Sequence, residues 1–221
     1  MRAHEFINED WKQNLASIGT GAALAFGGTN GINQKEVVPI APKQVSTKPT
    51  VTDNSNPASI LKKFALKAGI TGKELSALMS QAAHETLDFT RMIEHGSKSY
   101  FQKYETPKMA KVLGNTDKKG NIIHGAGEKF KGRSFLQITG KYNYELIGKE
   151  LGIPLGEHPE MLEDPKIGAM ASIWYWKHRV APKINNFGDI RKVTYQINPG
   201  MAGMASRQKH FQAYSKSDNE I

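Results

Sequence analysis

Apolar residues become periodic near residue 58. Ile60, Leu61 and Phe64 recur at helical spacing and predict a first helix ending at Gly69. From Thr71 to about Phe89, the positions Leu75, Leu78, Met79, Ala82 and Thr86 fall on one face and predict a second, longer helix. Residues 96–133 are rich in Gly, Lys and Asn and read as a long, partly irregular stretch. A further helix is predicted over Tyr142–Leu151, stopped by Gly152 and Pro154. Asp164-Pro165 has the form of an N-cap followed by proline at the first helical position. Ile167, Met170, Ala171 and Trp174 continue that helix on one face, and Lys177, His178 and Arg179 suit its negative C-terminus. Strand signals are sparse. The expected fold class is mainly α (α+β), a helical domain with a small β element near its middle.

Before residue 58 the pattern is different. From Gly27 to Pro57 the chain is dominated by Gly, Asn, Thr, Ser and Pro, and cannot bury enough apolar surface to offset the entropy of ordering. Residues 1–57 are therefore expected to form a flexible N-terminal appendage, with a short helix around Glu5–Ala25, and residues 58–221 the folded domain. A length of 221 residues accommodates one domain with a real core plus such an appendage. The most apolar run, Leu15–Gly27, is shorter than the roughly 18 residues a membrane span needs, so no stable span is expected. The acidic Glu5, Glu9 and Asp10 before it make a poor signal-peptide n-region. There is no cysteine, which excludes disulfides and thiolate metal sites.

The net charge of +9 is unevenly placed. Residues 1–57 carry five basic and five acidic side chains, whereas residues 58–221 carry 25 basic and 16 acidic ones. Such a field attracts polyanions, whether nucleic acid, cell-wall polymer or an anionic membrane, and charge alone does not choose among them or against a merely solvated surface. The chain has no recognisable nucleic-acid motif, so nucleic acid is not expected as a partner.

Chemistry concentrates in a few segments. Projected along the second helix, Glu85 lies within about 20° of Leu78, at the border of the apolar stripe. Desolvation there would favour a protonated carboxyl, as a general acid requires; the bland alternative is a boundary glutamate paired with Lys or Arg. His84-Glu85 begins like the zinc motif H-E-x-x-H, but Asp88 stands where the second histidine is needed and His84 projects away from the stripe, so no metal is expected. A second carboxyl, Glu94, follows nine residues later. On one straight helix the two would face similar directions, but a bend after Phe89 would set them across a groove, the arrangement of paired carboxylates in glycosidases. Gly132–Tyr144 (G-R-S-F-L-Q-I-T-G-K-Y-N-Y) gathers Gln137, Thr139, Asn143, Tyr142 and Tyr144 between glycines. Amides and hydroxyls suit sugar oxygens and aromatics suit apolar sugar faces, although a surface hairpin before a helix fits equally. Asn198-Pro199-Gly200 reads as a turn.

Taken in order, A-H-E-T ending at Thr86, Glu94, Gly132–Tyr144, L-E-D-P-K-I-G-A-M-A-S-I-W-Y-W (Leu162–Trp176), I-N-P-G (Ile197–Gly200) and the later Arg207 resemble family 19 glycoside hydrolases over roughly Ser59–Tyr214, above all the short form of bacteriophage endolysins and bacterial chitinase-like proteins. The resemblance implies a lysozyme-like, two-lobed helical domain that cleaves β-1,4-linked amino-sugar polymers by inversion, without metal or cofactor. It implies Glu85 as general acid, Glu94 as the base that activates water and Thr139 as a holder of that water. It further implies Gln137, Tyr142, Asn143, Asn198 and Arg207 as substrate-binding positions. The phage form implies peptidoglycan rather than chitin as the partner, a monomer made in a host cytoplasm that acts at the periplasm or wall, or carriage in a virion. A chitinase acting on chitin, a virion- or wall-associated peptidoglycan-binding module without turnover, and a lytic transglycosylase that uses one acid and no water are the competing readings. Two departures stand out. Ser134 replaces the second glycine of the usual G-R-G, and Pro199 replaces a glycine of the usual N-G-G.

Overall fold

The structure, a computed structural model, describes residues 56–217; the appendage expected over residues 1–57 lies outside that range apart from its last two residues. Helix α1 (Pro57–Lys67) starts where Asn56 accepts the Ala58 N–H and proline occupies the first turn. Helix α2 (Gly72–Glu85) is the centre of the domain. Every residue from Leu75 to Ala83 is buried, rather than one stripe of it. The positions between the expected apolar ones are small or internally satisfied: Ala77, Ala83, Ser76 and Ser80, whose hydroxyls donate to backbone carbonyls of their own helix. Neighbouring helices can therefore approach α2 from several sides. Helix α1 packs on it, as do α8 (Ile190–Ile197) and α9 (Met204–Ser217) later in the chain.

Helix α2 ends four residues earlier than its apolar spacing suggests. Leu87, Asp88 and Phe89 have φ of 48°, 56° and 64°, three consecutive non-glycine residues in the left-handed region. L-residues in that region cost about 1–2 kcal/mol each, Asp less than Leu or Phe. The turn is held by an internal bond set. The Thr86 carbonyl accepts from the N–H of Thr90 (3.0 Å) and Arg91 (2.8 Å), and the buried Thr86 hydroxyl accepts from the Phe89 N–H (3.0 Å) while donating to the Ala82 carbonyl (2.6 Å). The Phe89 ring is buried against Phe135, with ring centroids 6.0 Å apart. The bend expected after Phe89 thus lies before it.

The stretch 96–133 is less irregular than expected. It holds α3 (Lys98–Phe101), a 3-10 turn over Gln102–Glu105, α4 (Pro107–Leu113) and α5 (Ala126–Lys129). Helix α6 (Lys141–Leu151) is closed by Gly152 in the left-handed conformation, as its sequence signals. Helix α7 (Pro165–Tyr175) has the expected cap, Asp164 accepting from the Lys166 and Ile167 N–H groups, and runs on into a π turn over Trp176–Val180. The expected β element is reduced, among the described residues, to isolated bridges: Ile93 with Arg133, Arg133 with Ile138, and Thr116 with Ile122. The first two place the Glu94 segment beside the Gly132–Thr139 hairpin.

The main core gathers Ile60, Leu61, Leu75, Leu78, Phe135, Ile173, Trp176 and Val193 around α2. Buried side chains outside that cluster, including Phe101, Phe130, Tyr144, Ile147, Leu155 and Leu162, come from the middle of the chain. Among the described residues no helix is long and apolar enough to cross a membrane.

The left-handed turn makes Leu87, which is exposed and at φ 48°, a site of stored strain. Leu87→Gly removes the steric cost but adds about 0.5–1 kcal/mol of unfolded-chain entropy, for a net gain of up to about 1 kcal/mol. Urea unfolding should show a raised midpoint with an unchanged slope; a lowered midpoint would mean the turn is not strained at this residue.

Candidate active site

Glu85 is the last residue of α2, so its side chain leaves the helix where the backbone turns left-handed. Its carboxylate meets a charge rather than apolar groups alone. Oε1 accepts a hydrogen bond at 2.6 Å from Nη2 of Arg207, a side chain only 1% exposed. The same guanidinium donates through Nη1 to Gln81 Oε1 and through Nε to the Ala202 carbonyl at 3.1 Å. Gln81, one helical turn before Glu85, is itself buried, and its Nε2 donates to the Thr194 hydroxyl of α8 (3.3 Å). Arg207 is therefore not a groove-facing substrate residue, as its place in the motif series implied. Its donors are committed inside the protein, where they join α9 to the end of α2 and fix Glu85. The apolar bed expected for Glu85 is corrected likewise: the residue pairs with an arginine supplied from more than a hundred positions away.

His84 is also packed rather than projecting into solvent. Its Nδ1 lies 3.1 Å from the Ser206 hydroxyl, and its ring lies where a Cβ on Gly203 would sit, so only glycine fits there. Burial, and then the Arg207 charge, lower the pKa of this imidazole and favour its neutral form.

Glu94 follows the reversal. Its side chain is 17% exposed and meets four donors. The Tyr100 hydroxyl (3.1 Å), the Lys103 ammonium (3.2 Å) and the Tyr104 hydroxyl (2.8 Å) converge on Oε1, and the Gly132 N–H reaches Oε2 at 3.0 Å. Burial raises the pKa of this carboxyl, but the bonds from Gly132, Tyr104 and Lys103 outweigh that and hold it below its ordinary value. The partners respond in kind. Tyr104 is pushed up to about 12, by burial and by its bond to the carboxylate. Lys103 is held protonated by hydrogen bonds to both tyrosines and to Glu94, against the opposing effect of burial. The sequence reading missed this collar, although Tyr100, Lys103 and Tyr104 stand at the i, i+3, i+4 spacing that sets side chains on one helical face.

The third wall is the hairpin 132–139. Gln137 and Thr139 both line the cleft. The Thr139 hydroxyl donates to the Gln137 carbonyl at 2.9 Å, and Asn143 donates through Nδ2 to the Thr139 carbonyl at 2.9 Å, so Asn143 fixes the strand that presents Thr139. Ser134 has φ 68°, the conformation for which the usual glycine is suited; its buried hydroxyl lies 3.0 Å from that of Ser172, a contact that offsets part of the strain. Tyr144 is wholly buried. Its hydroxyl donates to the Lys131 carbonyl (2.6 Å) and accepts from Arg133 (3.1 Å), which makes it a structural residue rather than a sugar platform. Tyr142 is 52% exposed and lies away from the cleft lining, with its ring beneath the Arg179 guanidinium. Asn198 caps α8 and lines the cleft. Its Oδ1 accepts from the Gly200 N–H (3.0 Å), so the turn at Pro199 commits that oxygen and leaves the amide Nδ2 to offer a ligand.

These elements enclose an open cleft of about 470 Å³ lined by Glu85, Glu94, Gln137, Thr139 and Asn198 among others. That volume falls in the range of small-ligand sites. Five of the eight residues singled out from the sequence thus meet in one cavity, while Arg207 and Asn143 stand behind it and Tyr142 outside it.

Two outcomes follow from this geometry. Arg207→Met leaves the carboxylate of Glu85 and the amide of buried Gln81 without their partner and should cost about 3–5 kcal/mol in denaturant unfolding; Arg207→Lys should not restore it, because an ammonium lacks the fork. Tyr104→Phe removes a donor from Glu94 and raises its pKa. Because the folded-state pKa of Glu94 is depressed, its stabilising effect is present above the ordinary value of 4.5 and is lost as pH falls through the folded value. The acid limb of kcat/KM should therefore lie below 4.5 in the wild type and move to higher pH in Tyr104→Phe; an unmoved limb would show that Glu94 does not set it.

Comparison with known proteins identifies the family and the fold. The family model for class I chitinases of glycoside hydrolase family 19 matches residues 57–212. A family 19 domain-containing protein of Haemophilus influenzae is 31% identical over 178 residues, which are 70% of this chain and 85% of that protein. An endochitinase of Arabidopsis thaliana is 28% identical, and the match covers 69% of this chain but only 50% of the plant enzyme. In three dimensions the chain is similar to chitinase C of Streptomyces griseus, with a TM-score of 0.55 at 18% identity over 76% of this chain and 95% of that one. It is equally similar to a class IV family 19 chitinase of Zea mays, with a TM-score of 0.55 at 19% identity over 76% and 83% of the two chains. At these identities the structures speak for the fold alone, which is the lysozyme-like, mainly helical one expected. The family match over most of the described domain decides the rest: the chain belongs to glycoside hydrolase family 19 and is a chitinase-like glycosidase.

Proposed function

We propose that this domain hydrolyses β-1,4 bonds of the peptidoglycan glycan strand, with Glu85 as general acid and Glu94 as the base. The observation that carries the reading is that two carboxyls line one cleft, each fixed by its own donors. Glu94 is held as a carboxylate by its four donors, the state needed to take a proton from water. Glu85 has Oε1 fixed by Arg207, which leaves Oε2 as the oxygen available to a leaving group. Thr139 stands on the same cleft to hold the attacking water, and Gln137 and Asn198 offer amides to the sugar. Displacement by that water gives inversion at the anomeric carbon. The acid role rests on position and not on apolar surroundings.

The positive charge of residues 58–221 favours a polymer that carries negative groups, as peptidoglycan does. Under this reading the protein acts at the bacterial wall as a monomeric lytic enzyme of the phage endolysin kind, made in a host cytoplasm. The second reading is chitin, favoured by the endochitinase names of the Arabidopsis relative and of a 32% identical poplar protein.

Digestion of purified sacculi and of colloidal chitin in parallel, with mass spectrometry and anomeric analysis of the products, decides between them. Soluble muropeptides with ordinary reducing ends are expected from sacculi. Clearing of chitin alone would assign the second reading, and 1,6-anhydro ends would mean a transglycosylase. Glu85→Gln and Glu94→Gln should each lower kcat about 100-fold or more, the usual scale of general acid–base catalysis, while binding persists. Wall lysis by Glu85→Gln at the wild-type rate would remove Glu85 from the role of acid.

A further inference from the structure

The charge of the domain is concentrated in its last part. Residues 58–164 hold 16 basic and 13 acidic side chains, whereas residues 165–216 hold nine basic ones and a single acid, Asp189. Arg207 is among the nine and is spent on Glu85 inside the protein. Three others, Lys183, Arg191 and Lys192, converge with Tyr195, Gln196 and Met201 on a groove of about 320 Å³ distinct from the catalytic cleft.

Helix α8 builds this groove. Ile190, Val193 and Thr194 are buried against the core, so the intervening Arg191, Lys192 and Tyr195 are turned outward. Arg191 and Tyr195 stand one helical turn apart and present a guanidinium beside an aromatic ring that is 56% exposed. The one acid nearby is Asp189, whose pair with Lys192 at 3.7 Å is loose and partly exposed, and worth little in water. A merely solvated face interleaves charges of both signs evenly; here three cations stand with a single acid. Its contents match an anionic saccharide: an aromatic face for the apolar side of a sugar ring, an amide for its hydroxyls, and cations for carboxylates. An uncharged chitin chain offers these three cations no opposite charge. The same helix continues into Ile197 and Asn198, which line the Glu85–Glu94 cleft. Groove and cleft thus share one helix, the groove along its outer face and the cleft at its C-terminal end.

We propose that the groove formed by Lys183, Arg191, Lys192, Tyr195 and Gln196 is a second glycan subsite that binds the carboxylate-bearing strand of peptidoglycan and holds it against the catalytic cleft. The inference rests on the peptidoglycan reading above and adds the residues that select an anionic strand over a neutral one.

The test compares the full chain with a variant carrying Arg191→Gln, Lys192→Gln and Tyr195→Ala, all exposed positions outside the catalytic cleft, and separately with Lys183→Gln. Sedimentation binding is measured on Gram-negative sacculi, which lack teichoic acid, on the same sacculi with their stem carboxylates amidated, on Gram-positive walls that bear teichoic acid, and on colloidal chitin. Circular dichroism and thermal unfolding check that each variant is folded. The wild type should bind untreated sacculi about tenfold more tightly than amidated ones, a preference that added salt weakens. The triple variant should lose that preference, and Lys183→Gln should lose part of it. Wild-type lysis of sacculi with no change in binding in either variant would overturn the subsite while leaving the substrate reading intact. Wild-type activity on chitin with none on sacculi would overturn the substrate reading itself. A difference between wild type and variant seen only on walls bearing teichoic acid would assign the groove to phosphate and overturn the carboxylate proposal.

Discussion

The active cleft depends on one backbone constraint, the reversal of the chain between Glu85 and Glu94. Helix α2 would carry both carboxyls on its own surface if it ran straight. Instead the Thr86 carbonyl and hydroxyl collect the N–H groups of the next turn and hold Leu87, Asp88 and Phe89 in the left-handed region. Phe89, buried against Phe135, anchors that turn to the hairpin that carries Thr139. The strain of three non-glycine residues is tolerated because the surrounding bonds over-determine it, as is common near functional sites. Everything after the turn follows from it. Ile93 bridges to Arg133, the Gly132 N–H meets Glu94, and the second carboxyl arrives in the same cleft as the helix end.

The two carboxyls are then made unlike by what each is given. Glu85 receives a single buried guanidinium, itself tied to Gln81 and the Ala202 carbonyl, so its position is set by the packing of α9 on α2. Glu94 receives neutral and charged donors from a short helical segment together with one backbone N–H, so its ionised state is set locally. A change in the first environment disturbs long-range packing, whereas a change in the second alters a proton affinity with little cost to the fold. Arg207 and Tyr104 thus act on the two carboxyls through different physical means: anchoring across the fold, and electrostatic tuning of one side chain.

The basic C-terminal part gives the glycosidase a surface character of its own. Two of its basic side chains, Arg191 and Lys192, stand on the solvent face of α8, and Asn198 at the end of that helix lines the cleft. A strand drawn by long-range attraction would be delivered to the end of the helix that carries Asn198.

Much of this was legible in the residue order. Helix α1, helices α6 and α7 with their caps and stops, the mainly helical class, and the two carboxyls nine residues apart all follow from apolar spacing, capping chemistry and motif order, because these are local properties of the chain. The sequence also singled out Gln137, Thr139 and Asn198, which share the cleft with Glu85 and Glu94. What it left undetermined is whatever depends on contact between distant segments. Apolar spacing extended α2 to Phe89 because it carries no record of the hydrogen bonds that force a left-handed turn at Leu87. It placed Glu85 on a greasy border because the arginine that pairs with it lies 122 positions away. It offered Tyr144 and Tyr142 as equal sugar platforms, whereas packing buried one against Phe130 and set the other outside the cleft. Side-chain identity fixes which chemistry is available; only the folding of remote segments onto one another decides which partner each charge meets and which ring still faces water.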